Sequence, residues 1–354
     1  MKILHSADWH LDSPMLGHPP AVRSRLRQRL LEVPGKIAAL CQKEACDLVL
    51  LAGDLFDGSY TQESVRALHA ALEEMKVPVF IAPGNHDFVS PDSPWNREIW
   101  PENVHIFMAP RIESVALPGL DCRVYGAGYQ EMDCPGVLAG FRAEQAERYA
   151  LGVFHGDPVQ PVSPYNPITR QQVQQSGLDY LALGHIHKAD RFQSGRTLCA
   201  WPGCPMGTGY DELGIKGVWI AQLDSETTCR FVELNTPRFY DMEVRAGENP
   251  AAAVGNVLPG VVGEDFYRIT LTGVCEAGSL EALAEQFSGF PNLIIRDQTT
   301  RPVDLWSCTG EDSFEGVYFG LLKAAAENGP ERETALLAAR LSRQILQGQE
   351  VELP

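Results

Sequence analysis

The first half of the chain alternates short apolar runs with amphipathic stretches. Lys2–Asp8 reads as a strand, and Asp47–Ala52 is a near-continuous apolar run of strand length, the pattern of a strand covered on both faces. Between them, Ala21–Cys46 reads as helix. Pro34 is expected to kink or restart that helix, because proline offers no N–H and crowds the turn before it. Thr61–Lys76 sets Val65, Leu68, Leu72 and Met75 on one stripe, the spacing of an amphipathic helix, and Val77–Ala82 follows as a third strand. Strand and helix in alternation predict an α/β fold built on βαβ crossovers. Residues 88–103 interrupt the pattern with Pro91, Pro94, Trp95, Trp100 and Pro101 and read as a loop. Short strands are expected near 104–108, 112–117 and 122–127. Two apolar strands, Ala150–Phe154 and Tyr180–Leu183, flank a helix around Thr169–Gln175. The stretch from about 195 to 236 is β-rich, with Trp219 in a strand. Near Pro237 the composition changes. Beyond it, strands are expected near 265–272 and 291–296, and helices near 279–287, 311–326 and 330–347. The expected division is a domain over 1–236 and a smaller α+β domain over 237–354.

The polar residues that end these apolar runs form a series. Asp8 and His10 end the first, two apart, so that strand alternation would send both to one side and Trp9 to the other. Asp54 ends the second run after Gly53, and Asn85, His86 and Asp87 follow the third after Gly84. His155 follows Leu151–Phe154, and His185 and His187 follow Leu181–Leu183 and Gly184. Each lies just beyond the carboxyl end of a predicted strand, where α/β proteins build their sites. Oxygen and imidazole donors without thiolates suit manganese, iron or zinc. A carboxylate such as Asp54 is able to bridge two ions, and two ions roughly 3.5–4 Å apart clamp both nucleophile and leaving group of an in-line displacement. Singly each piece is weak; an Asn-His-Asp after a strand is commonly only a turn. Five pieces in order carry the reading.

Composition adjusts this picture in two places. The chain has 354 residues, 44% of them hydrophobic and 21% charged, enough for one large and one smaller core. No run of 18 apolar residues occurs, and Met1 leads directly into a strand-like run, so a soluble cytoplasmic protein away from membranes is expected. The nine cysteines (Cys41, Cys46, Cys122, Cys134, Cys199, Cys204, Cys229, Cys275, Cys308) are odd in number and scattered, which suits reduced thiols rather than a disulfide framework. The net charge of −17 argues against a nucleic-acid protein, but it is uneven. Residues 1–200 hold 18 basic against 23 acidic side chains, and residues 201–354 hold 11 against 23. Two divalent ions would offset much of the imbalance in the first part.

The series Asp8-x-His10, Gly53-Asp54, Gly84-Asn85-His86-Asp87, His155, Gly184-His185-x-His187 resembles the calcineurin-like metallophosphoesterase superfamily. The resemblance implies a four-layer α/β/β/α sandwich around a dinuclear centre. One metal would be held by Asp8, His10, Asp54 and His187, the other by Asp54, Asn85, His155 and His185. His86 would stabilise or protonate the transition state, with Asp87 orienting its ring, while metal-bound hydroxide attacks phosphorus in line. Manganese is the implied metal, with iron, zinc or magnesium as alternatives.

Three segments are similar to the SbcD/YhaO-type DNA repair exonuclease branch of that superfamily. They are Asp179–His187, Gly53-Asp54-Leu55-Phe56-Asp57, and Pro202-Gly203-Cys204-Pro205, where Cys204 stands in place of the usual Ser. His10–Pro14, Asn85–Phe107 and Tyr165–Pro167 add to the likeness, which covers roughly residues 1–235 and fades over 240–354. It implies DNA as substrate, an SMC-like coiled-coil ATPase and a second copy of the chain as partners, and Trp95, Trp100, Tyr129 and Tyr165 as base-stacking candidates. Asp57 reads either as tuning the site or as a helix-start cap. The apolar positions of 311–326 and 330–347 read as core before docking surface. Two other readings compete: a phosphomonoesterase or cyclic-nucleotide phosphodiesterase on a small substrate, and a non-enzymatic subunit of an ATPase complex.

Overall fold

The computed structural model describes residues 1–247, 249–260, 263–275, 279–328 and 330–348. The chain begins β1 (Lys2–Ser6), α1 (Pro20–Leu31), α2 (Val33–Lys43), β2 (Leu48–Leu51), α3 (Gln62–Met75), β3 (Val79–Ile81), α4 (Pro94–Arg97) and β4 (Val104–Ile106). It continues with β5 (Glu113–Leu117), β6 (Cys122–Gly126), β7 (Tyr149–His155), α5 (Arg170–Gln175), β8 (Tyr180–Gly184), β9 (Lys188–Ser194), β10 (Thr197–Gly203), β11 (Gly217–Leu223) and β12 (Thr227–Glu233). The remainder is β13 (Phe239–Arg245), α6 (Pro250–Val257), β14 (Phe266–Thr272), α7 (Ser279–Gln286), β15 (Leu293–Asp297), α8 (Phe314–Asn328) and α9 (Arg332–Leu346).

Local chemistry explains the boundaries that position the site. Pro34 sits in the first turn of α2, where its missing N–H costs nothing, so it restarts the helix after Glu32. Thr61 caps α3 by accepting from the Ser64 N–H, and the buried stripe is Val65, Leu68, Leu72 and Met75. The loop expected over 88–103 contains one short helix, α4, opened by Pro94.

Two six-stranded sheets dominate, ordered β12-β11-β1-β2-β3-β4 and β5-β6-β7-β8-β10-β9. In the first, β1 to β4 are parallel, and in the second, β6, β7, β8 and β10 are parallel. Antiparallel strands finish the edges. Alternation along β2 shows the layering. Leu48 and Leu50 join Ile3, Phe80, Leu151, Val153 and Ala182 in the core between the sheets. Val49 and Leu51 turn outward to Leu26, Leu30, Ile37, Leu68 and Leu72 of α1, α2 and α3. On the far face of the second sheet, Phe154, Leu181 and Leu183 pack with Val173 of α5. The fold is thus α/β, with helices outside both sheets. Burying each such leucine or valine contributes about 1.5–3 kcal/mol.

The chain divides into two units, Met1–Asp241 with Gly263–Arg268, and Met242–Val262 with Ile269–Pro354. The second contains most of the sheet β13-β14-β15 together with α6 to α9. Among the described residues no helix is long and apolar enough to cross a membrane.

Candidate metal centre

The central parallel strands of both sheets bring their carboxyl ends to one place. Asp8 and His10 leave β1, Asp54 leaves β2, Asn85 and His86 follow β3, His155 closes β7, and His185 and His187 follow β8. Past the end of regular pairing, the first two segments stay zipped together. The Asp8 N–H donates to Gly53 O at 3.0 Å, and the His10 N–H to Asp54 O at 3.0 Å. Strand alternation is not what aims Asp8 and His10. β1 has already ended at Ser6, and both residues take left-handed backbone, with φ of 54° and 49°. Asp54 (52°) and His185 (94°) do the same. Four non-glycine residues held in this costly region at one place mark a constrained site. Trp9 is still turned away, buried with its Nε1–H on Ser6 Oγ at 2.8 Å.

Gly84 lets these segments touch. A Cβ there would lie 2.3 Å from Asp54 Oδ1 and 2.8 Å from His155 Cγ. Gly53 is equally confined, since its Cβ would meet His155 Nδ1 at 2.7 Å.

The donor atoms converge. Ligand atoms of Asp8, His10 and His187 lie within 4.8 Å of one another, as do those of Asp8, Asp54 and His155, and those of His10, Asp54 and His86. Asp8 and Asp54 each belong to two of these groups. Asn85 Oδ1 is 2.9 Å from His155 Nε2. His185 is in none of the groups; its ring stands edge-on to His155 at 5.3 Å and leans on Tyr165 at 4.9 Å.

Several features fit a bound cation. Asp8 Oδ1 accepts from the His185 N–H at 2.8 Å, while Oδ2 is buried with no hydrogen-bond partner among the described residues. His155 Nδ1–H donates to Ala52 O at 2.9 Å, which in a neutral ring leaves the Nε2 lone pair facing Asp54 Oδ2 at 3.2 Å and Asn85 Oδ1. His10 and His187 likewise point their Nε2 atoms at each other, 3.1 Å apart. Lone pairs that face one another need a positive charge between them. Without metal, protons supply it. Burial lowers the His155 pKa, but the charge and hydrogen bond of Asp54 more than reverse this and hold it at about 9. Burial also opposes charging His187, yet its contact with Glu212 raises it to about 9. Desolvation favours neutral Asp54, but the charges of His155, His10 and His86 hold its carboxyl well below the usual range.

Two acidic roles differ from the sequence expectation. Asp87 does not orient His86. Its Oδ1 accepts from the N–H groups of Gly84 (2.7 Å) and Asp54 (3.2 Å), and its Oδ2 from those of Leu55 (2.8 Å) and Phe56 (3.4 Å). It is a buried clamp on backbone, pushed up to about 6 by burial and by the charge of Asp54. Asp57 takes the role instead, with Oδ1 2.8 Å from His86 Nδ1 and 3.3 Å from His10 Nδ1. Nor does Asp57 cap α3, since Thr61 does. Its bonds to His10 and His86 hold its carboxyl far below the ordinary range, and the bond to His86 raises the pKa of that ring.

Glu212 has no counterpart in the sequence reading. Its Oε1 meets His187 Nδ1 at 2.5 Å, and its Oε2 accepts from the Thr208 N–H at 2.7 Å. It sits in a loop with no motif spacing to announce it. Cys204, Glu212 and His187 also lie within mutual ligand reach, and Cys204 and Lys216 both contact His187 O. Of the aromatic candidates, Trp95 and Tyr129 are core, Trp100 packs partly buried against Trp95, and Tyr165 stands beside His185.

Comparison with known proteins agrees with this geometry. The chain is 31% identical over 241 residues to the uncharacterized metallophosphoesterase YhaO of Bacillus subtilis, covering 63% of this chain and 57% of that protein. It is 25% identical over 267 residues to the SbcD component of the nuclease SbcCD from the same organism, covering 60% of this chain and 64% of the relative. The chain therefore spans about three fifths of the length of these relatives. The family model for calcineurin-like phosphoesterases matches residues 1–189, which hold every predicted ligand. The chain belongs to the calcineurin-like phosphoesterase family.

Proposed function

We propose that the chain is a hydrolase of DNA phosphodiester bonds that works with two divalent ions, manganese first among them. The observation that carries the reading is the convergence of ligand atoms of Asp8, His10, Asp54, His155 and His187, with Asn85 Oδ1 on His155 and one buried Asp8 oxygen without a hydrogen-bond partner among the described residues. In this reading one ion takes Asp8, His10, Asp54 and His187, and the other takes Asp54, Asn85, His155 and His185. Ions bound there supply an acidified water and positive charge for the phosphoryl oxygens.

The protein's own groups do the rest. Asp57 holds Nδ1 of His86, whose side chain is 42% exposed, so the Nε2–H is left for substrate. A protonated His86 donates to the phosphoryl or leaving oxygen as charge develops there. Glu212 fixes the ring of His187 so that Nε2 faces the centre, the task a carboxylate performs behind a ligating imidazole. Asp87 ties the Asp54 segment to the Asn85 segment.

DNA as substrate is supported by the relative that forms part of a nuclease. That relative is one subunit of a larger nuclease, which supports a partner chain here, and the SbcD-type resemblance makes a coiled-coil ATPase the candidate. The core expectation holds at Phe319, which is buried with Leu322 packed against it, whereas Val317 and Leu321 of α8 are 61% and 68% exposed and Leu337, Ile345 and Leu346 of α9 are exposed as well, so α8 and α9 also present an apolar surface. A small phosphodiester as substrate is the second reading, favoured by the net charge of −17.

The test is manganese-dependent digestion of end-labelled single- and double-stranded DNA beside bis(p-nitrophenyl) phosphate, with wild type and His86→Ala and with metal content measured. Cleavage of DNA by wild type, with His86→Ala retaining metal but slowed, is expected. Fast turnover of the small ester with intact DNA would replace the nuclease reading by the second one.

A further inference from the structure

A strongly acidic chain carries one conspicuous basic stretch. Ser13–Leu31 contains four arginines and no Asp or Glu, and it leads directly from the ligand His10 into α1. Spacing sorts these arginines into two stripes, because residues four apart share a helix face. Arg25 and Arg29 are structural. Arg25 lies over the Phe266 ring at 5.7 Å, and Arg29 pairs with Glu32 and Glu264.

Arg23 and Arg27 form the other stripe. Among the described residues neither has a carboxylate in salt-bridge reach, and the nearest acids in sequence are already engaged. Asp12 accepts from Thr61 and Ser64, and Glu32 is taken by Arg29 and Lys36. Arg27 Nε–H donates to Ser13 O at 3.4 Å, and the Ser13 N–H donates to His10 O at 3.0 Å. Two hydrogen bonds therefore separate the exposed guanidinium from a residue of the metal centre. The intervening loop also lines an open cleft of about 510 Å³, where Leu16 is 77% exposed beside His18, Thr208 and Tyr210.

We propose that Arg23 and Arg27 carry the phosphates of a single-stranded nucleic acid on the flank of the bond held at the metal centre, with an unpaired base entering the Leu16–Tyr210 cleft. This rests on the nuclease reading above. Guanidiniums with no carboxylate in reach beside a phosphoryl-transfer site suit a polyanion, and a cleft that sets Leu16 and Tyr210 beside Asp211 and Arg268 offers an unpaired base both apolar contact and polar partners.

The experiment compares the manganese-loaded full chain as wild type, R23Q/R27Q, R23K/R27K and a charge-matched pair elsewhere on the surface, R111Q/R148Q. Each is assayed on an end-labelled single-stranded oligonucleotide over a range of salt, and on bis(p-nitrophenyl) phosphate. Relative to its own ester turnover, R23Q/R27Q is expected to show a KM for DNA raised about tenfold at low salt. Its log KM against log salt should be shallower by about 1.4, since each single-strand phosphate contact contributes about 0.7. The lysine pair should recover most of the loss, and R111Q/R148Q should behave as wild type. A wild-type KM and salt slope in R23Q/R27Q, or an equal loss in R111Q/R148Q, overturns the inference while leaving the nuclease reading standing. Wild type that hydrolyses the ester but not DNA removes both.

Discussion

Replacing each of the two acids around His86 by its amide separates a clamp from a positioning group. In Asp87→Asn one oxygen becomes an NH2 that must face two backbone N–H groups, either those of Gly84 and Asp54 or those of Leu55 and Phe56. A buried N–H deprived of its acceptor costs about 1–3 kcal/mol, so two of them put the loss near 3–4 kcal/mol. For a unit of this size that corresponds to a fall in Tm of roughly 6–15 °C. Asp57→Asn is different. Its oxygen still accepts from His86, the site is partly open, and only the charge is lost. Stability should change by less than about 1 kcal/mol, while turnover falls roughly 10–100-fold with KM little altered. Calorimetry in chelator keeps metal release out of the Tm, and hydrolysis of bis(p-nitrophenyl) phosphate reads the chemistry. An Asp87→Asn protein with wild-type Tm and a loss confined to kcat would show that Asp87 does serve His86. That result would refute the assignment of Asp57.

Three further outcomes follow from the same geometry. Glu212→Gln should weaken metal binding roughly 10–100-fold, measured by calorimetric titration with manganese, because His187 loses the partner that fixes its ring. In the metal-free protein, His155 and His187 keep protons up to about pH 9. Their stabilising contribution is therefore full below the ordinary histidine value of 6.5 and fades as pH rises through about 9. Metal must displace those protons, so manganese affinity should rise over the same window, with proton release detected by titration in buffers of different ionisation enthalpy. Gly84→Ala drives a Cβ onto Asp54 and His155, and the purified protein should carry little metal while keeping its far-ultraviolet circular dichroism.

The fold was legible wherever burial has a period. Val65, Leu68, Leu72 and Met75 mark α3 because one face of that helix is dry, and the unbroken apolar run of β2 reports a strand covered on both sides. The convergence of Asp8, His10, Asp54, Asn85, His155 and His187 was legible because each follows such a strand. What escaped depends on contacts that sequence distance hides. Asp57 and Asp87 are both acids near His86, and adjacency favours Asp87, yet the backbone N–H groups of two converging loops capture its carboxylate. Glu212 reaches His187 only because the loop that begins after β10 folds back over the end of β8. Asp8 and His10 do turn out of the strand, but strand pleating is not the reason. Left-handed backbone aims them, and no residue-level pattern in Asp8-Trp9-His10 announces a positive φ.

Net charge and nucleic-acid chemistry are compatible here because fields in salt are local. The Debye length is about 8 Å at physiological ionic strength, so exposed acids farther away than that act weakly on a strand at the metal centre. The loop and helix that follow His10 carry four arginines and no Asp or Glu from Ser13 to Leu31. Within the centre itself, Asp8 and Asp54 are ligand candidates, Asp57 faces two histidines and Asp87 faces amides, so its acids are spent internally. A polyanion therefore meets a short positive stripe directly after His10. Such an arrangement disfavours binding along the length of a duplex and favours an end or a single strand threaded past one short stripe. Affinity should be modest and, with few phosphate contacts, only shallowly dependent on salt.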